Sequence, residues 1–111
     1  MAPTYDQFTE RFTEAYEMYE QDKLAECIAA CQLLLKASSL PDYHRIKTLG
    51  LLGSTIGNRD EADSCCTEAR EFWRRERRWQ QSGKDPEADL AMEELDEWIQ
   101  ELHDVLDAEE E

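Results

Sequence analysis

With 111 residues, 41% of them hydrophobic and 35% charged, the chain suits one folded domain around one core, which excludes both a disordered polymer and two independent domains. Its net charge of −15 is lopsided: residues 1–84 hold all 12 Lys and Arg against 14 acids, whereas residues 85–111 hold 13 acids and no Lys or Arg. An acidic segment on a nearly neutral body argues against nucleic acid as a partner, because phosphate binding needs a basic surface, and only three prolines and four glycines favour helices over short strands.

Thr4 is a fitting N-cap for a first helix whose apolar stripe is Tyr5, Phe8, Phe12, Ala15, Tyr16 and Tyr19. After a break near Gln21 and Asp22, a second stripe runs through Leu24, Cys27, Ile28, Cys31, Leu34 and Leu35, and Pro41 in "ASSLPD" ends it. A third comprises Tyr43, Ile46, Leu49, Gly50, Leu52, Gly53 and Ile56, with Gly57 and Asn58 suited to a left-handed C-cap and a tight turn. The fourth spans about five turns from Asp60 to Trp79. "QQSGKDP" then breaks the chain, Asp85 and Pro86 standing where an N-cap and a first helical residue belong. A fifth stripe, from Leu90 through Leu95, Trp98, Ile99, Leu102, Val105 and Leu106, precedes "DAEEE", expected to fray.

Gly50, Gly53 and Gly57 are the puzzle of this pattern, since each weakens a helix by about 1 kcal/mol relative to Ala and therefore calls for a packing reason. Leu49 and Gly50, Gly57, Ala62 and Ala69 form a series of small residues that resembles a tetratricopeptide repeat (TPR). The resemblance implies that small residues let the two antiparallel helices of a unit pack closely and that the turn glycine reverses the chain. The stretch "YEQDKLAECIAACQ" looks like a weaker copy, with Cys27 where its neighbour has Ala62, but without the Leu–Gly pair or the turn glycine. The expected fold is all-α: two antiparallel helical hairpins, residues 4–37 and 43–80, and an amphipathic acidic capping helix over 85–107, followed by a tail at 108–111.

Signs of catalysis are lacking. Cys27, Cys31, Cys65 and Cys66 lack the paired short spacings of structural zinc sites, and read as reduced, buried thiols. His44 and His103 have no Ser or Cys with an orienting acid beside them. "GLLGSTIG" lacks the spacing of a phosphate loop. No enzyme, metal or cofactor is expected. The N-terminus carries no secretory leader, and the apolar-rich run "CIAACQLLLKA" is far short of the roughly 18 residues that span a bilayer, so an intracellular protein, cytoplasmic or nuclear, is expected.

The leading expectation is therefore an adaptor, a protein–protein interaction module that grips a segment of a partner protein in a helical-repeat groove. Its candidate contacts are the stripe Tyr5, Phe8, Phe12, Tyr16 and Tyr19, and the first-helix cations Arg45 and Lys47 of the second unit. The Asn that accompanies such cations in repeats gripping carboxylate tails is absent. "REFWRRERRW" adds Trp73, Arg74, Arg75, Arg77, Arg78 and Trp79, and the fifth helix adds Trp98, which can also dock the acidic helix on the fourth. Two alternatives stand beside this: an acidic chaperone or mimic that presents residues 85–111 to a basic protein, and a homodimer anchored by tryptophans.

Overall fold

The computed structural model describes residues 3–79 and 85–109. Five helices follow one another: α1 (Tyr5–Glu20), α2 (Leu24–Leu35), α3 (Asp42–Thr55), α4 (Arg59–Trp79) and α5 (Pro86–Glu109). Among the described residues there is no strand, and the fold is all-α. Local chemistry sets the helix starts. Thr4 and Gln7 close a reciprocal capping box, the Thr4 hydroxyl accepting from the Gln7 backbone amide and the Gln7 side-chain Oε1 from the Thr4 backbone amide. The Asp85 carboxylate accepts from the amides of Glu87 and Ala88, with Pro86 opening α5. α5 then continues through residue 109 rather than fraying at 108; residues 110–111 lie outside the described residues, as does the expected break at 80–84.

Two turns depart from expectation. α3 stops at Thr55 with Ile56 extended, so no left-handed cap forms at Gly57; Asn58 instead caps α4, its side-chain oxygen accepting from the Glu61 amide. The left-handed residue is Asp22, at φ 62, where the Lys23 amide donates to Met18 and the Asp22 amide to Tyr19. This is a Schellman ending with Asp in the position glycine fills most cheaply. Replacing Asp22 by Gly is expected to raise stability by about 0.5–1 kcal/mol, read by denaturant unfolding. A loss of stability would show that the Asp side chain holds the turn.

Consecutive helices pack antiparallel. The odd-numbered helices also pack on one another, α1 on α3 and α3 on α5, whereas the backbones of α2 and α4 stay apart. α3 is thus the central element, and its glycines serve two neighbours. A Cβ on Gly50 would lie 3.4 Å from the Trp98 ring of α5, and one on Gly53 would lie 2.8 Å from Leu102 of α5 and 3.4 Å from Cys65 of α4. The close approach expected within one hairpin therefore reaches α5 as well. At Gly57 a Cβ would meet nothing within 4 Å, and that glycine has no steric purpose.

α5 belongs to the core. Met92, Leu95, Ile99, Leu102 and Leu106 are buried with Phe8, Leu51 and the rest of the apolar cluster. Its acids also meet arginines of α4 in antiparallel register: Arg70 pairs with Asp96, and Arg77 with Asp89 at 3.0 Å. Between them the Trp73 indole N–H donates to the Met92 carbonyl at 2.8 Å. These half-buried pairs add little individually and chiefly fix the register that apolar burial stabilises.

Candidate functional site

The face shared by α1, α3 and α5 carries a groove. α3 forms its floor, and the residues that place it there follow from helix geometry: Tyr43, Lys47, Gly50 and Ser54 recur every three or four positions on the side of α3 that lies between α1 and α5. Because Gly50 has no side chain, the Trp98 ring lies against the α3 backbone instead of standing clear of it. Two adjoining depressions of about 460 and 290 Å³ share Tyr19, Ser54, Trp98 and Glu101. Tyr16 extends the smaller one and Val105 the larger.

The aromatic stripe of α1 divides between two roles. Phe8 and Phe12, expected among the partner contacts, are core residues and are corrected as such. Tyr16 and Tyr19 are 40% and 38% exposed, with Tyr19 lining both depressions. Tyr5 is 56% exposed, yet its ring meets His44 edge-on at 4.4 Å between centroids.

His44 is buried beneath this stripe. Its Nε2 shares a hydrogen bond with the Thr9 hydroxyl at 2.9 Å, and that hydroxyl also lies 3.1 Å from the Tyr5 carbonyl. Nδ1 has no hydrogen-bond partner among the described residues. Burial, and secondly the charge of Lys47, hold the imidazole below its ordinary pKa. A neutral His44 in the fold means that the unfolded chain takes up the proton first as pH falls through about 6.5. Stability is expected to drop over that range more in the wild type than in His44→Phe. The measurement is the difference in unfolding free energy between neutral pH and pH 5 for the two chains; equal slopes would exclude His44 as the source.

Lys47 sits 4.5 Å above the Phe12 ring and 5.2 Å from that of Tyr43, and burial lowers its pKa. Arg45 points the other way. Its guanidinium donates to the carbonyls of Leu35 and Ala37 and rests over Phe72, bracing the α2–α3 connection, so it does not reach the groove with Lys47 as expected.

The α4 residues proposed as contacts are likewise distributed. Trp73 and Arg77 hold α5, Arg75 pairs with Asp42 and covers Phe72, and Arg74 and Arg78 are exposed. The side chain of Trp79 lies outside the described residues. Among the described side chains, Trp98 lines the groove and Trp73 does not.

All four cysteines are free and buried. Cys65 and Cys66 are both covered although they point about 100° apart, because α4 lies between α3 and α5: Cys65 meets Gly53, and the Cys66 thiol donates to the Ile99 carbonyl. Burial, followed by Glu68 and Glu61, pushes the Cys65 thiol up to about 11, and burial, followed by Cys27, raises that of Cys31 further. Such thiols are poor nucleophiles. Among the described residues no group of three or more His, Cys, Asp or Glu is placed to hold a metal, and no helix is long and apolar enough to cross a membrane.

Several groove residues escape a reading of the sequence. Glu94 and Glu101 are lost in an acid-rich segment, and Tyr43 reads as core. Burial, then Tyr5 and Glu94, raise the pKa of the Tyr43 hydroxyl. The signal that would have found them is the series Glu94, Trp98, Glu101, Val105, alternately acidic and apolar at helical spacing. No protein-family model matches the chain, and no curated protein and no solved structure matches it either.

Proposed function

We propose that the chain is a non-enzymatic interaction module of the cell interior, built as a short TPR-like helical repeat, that holds a segment of a partner protein in the groove between α1 and α5. The observation that carries this reading is the exposed apolar lining of that groove, where Tyr16, Tyr19 and Val105 stay open to solvent around the shared depressions. Support for the repeat comes from the packing order, in which successive odd helices pack on each other while the backbones of the even helices stay apart, as in arrays where each unit packs on its neighbours.

The reading is tested by affinity capture with the full chain as bait. Proteins retained by the wild type at high salt are expected to be lost with Tyr16→Ser/Tyr19→Ser and kept with Leu33→Ser, which alters an exposed residue on α2. Partners indifferent to the groove variant would overturn the proposal, and recovery of the chain alone would turn the reading to self-association. Partners that vanish at high salt whatever the groove variant would favour the acidic-mimic reading, because screening weakens exposed charge contacts first.

A further inference from the structure

A separate cleft of about 380 Å³ opens between α4 and α5 and shares no lining residue with the groove. Its volume suffices for a small organic molecule. Cys66 and Ile99 are the buried residues of its lining and form an apolar floor, where the thiol donates to the Ile99 carbonyl. Along α4 the lining residues Thr67, Arg70 and Arg74 follow at steps of three and four, which sets them on one side of that helix.

Hydrogen-bond donors are in excess here. Arg74 has no hydrogen-bond, ion-pair or ring partner among the described residues, so its N–H groups are all open. Arg70 gives one N–H to Asp96 and rests over the Trp73 ring, which leaves further donors on its guanidinium. Gln100 and His103 line the α5 side and turn to Asp104 and Asp107 of their own helix, so that wall is already paired. Glu71 is the single acid of the lining, and it makes no ion pair with Arg74 one turn away.

We infer that this cleft binds a small organic anion, its carboxylate or phosphate head held by Arg70 and Arg74 and its short apolar body lying on Cys66 and Ile99. Guanidinium groups grip both heads through paired N–H donors, and two of them one turn apart converge on one oxyanion. Glu71 limits the choice, because its carboxylate repels a second negative group and favours a ligand with one anionic head. The net charge of −15 lies mostly on acids elsewhere on the surface, and beyond about 8 Å these are screened at physiological salt, so the groups of the cleft itself decide.

The test follows backbone amide shifts of the full chain as phenyl phosphate, benzoate, inorganic phosphate and benzyl alcohol are added, each up to about 10 mM. Phenyl phosphate, benzoate or both are expected to shift Thr67, Arg74 and Gln100 saturably, and the head that binds more tightly tells whether the ligand is a phosphate or a carboxylate. Inorganic phosphate lacks a body to cover the floor and benzyl alcohol lacks a charge, so each should bind at least about fivefold more weakly. Arg74→Gln should weaken the better ligand about tenfold. Arg78→Gln, the same charge change at an exposed α4 position outside this cleft, should weaken it by no more than about twofold. Equal losses from the two variants, or inorganic phosphate as tight as the aryl anions, would reduce the effect to bulk charge and an adventitious ion only, and would overturn the inference. Benzyl alcohol binding as well as the anions would overturn the role of the arginines. If neither aryl anion shifts the cleft, the site is overturned outright.

Discussion

A chain ending at residue 84 is expected to lose cooperative folding. Deletion of α5 removes Met92, Leu95, Ile99, Leu102 and Leu106 from the core, all buried in the full chain. At about 1.5–3 kcal/mol for each apolar side chain fully buried, their contribution is on the order of 10 kcal/mol, comparable with the whole stability of a small domain. The deletion also uncovers the faces of α3 and α4 on which α5 rests, including the Gly50 and Gly53 surface and the Trp73 indole. Circular dichroism should show reduced helix content and a broad, shallow melt, and limited proteolysis should digest the fragment far faster than the full chain. A sharp transition with native helix content would mean that the two hairpins suffice and that α5 is a detachable cap. The expected result matters for function, because it makes the acidic segment part of the core and one wall of a groove rather than a free appendage. Tests of binding therefore require point variants of the full chain.

The helices themselves were legible in the sequence because their causes are local. Thr4 with Gln7 and Asp85 with Pro86 act over three residues, and the apolar stripes repeat at the period of one turn. The packing partner of each stripe is not local, and there the sequence ran out. Gly50 and Gly53 announce a close approach but not which helix makes it, and here two helices do. Adjacent cysteines at 65 and 66 suggest that one must point away from the core, unless their helix is covered on two sides, as α4 is. Glu94 and Glu101 have the same composition signal as every other acid of α5, and only their register with Trp98 distinguishes them. The α1 stripe is the plainest case. From Tyr5 to Tyr19 it is wider than one helix–helix contact, so part of it covers the core and part borders the groove, and periodicity does not divide the two.

That division yields the sharpest pair of substitutions. Phe8→Ala is expected to destabilise the fold by about 3–5 kcal/mol, since the ring is 1% exposed and its removal leaves a cavity between α1 and α3 that the His44 imidazole is too constrained to fill. Tyr16→Ser, eight residues later on the same apparent stripe, should cost no more than about 1 kcal/mol, the scale of its ring contacts with Phe12 and Tyr19. Binding should show the reverse order. At temperatures where the Phe8 variant is still folded, its groove is intact and its capture of partner proteins should stay close to that of the wild type, whereas the Tyr16 variant loses a groove contact while its fold is untouched. Denaturant midpoints and affinity capture with the same two proteins separate the effects. If Tyr16→Ser proved as destabilising as Phe8→Ala, the stripe would be one core face and the groove lining would shrink to Tyr19, Trp98 and the α5 wall. If both variants captured partners as the wild type does, the α1 wall would take no part in recognition, and α5 alone would have to supply it.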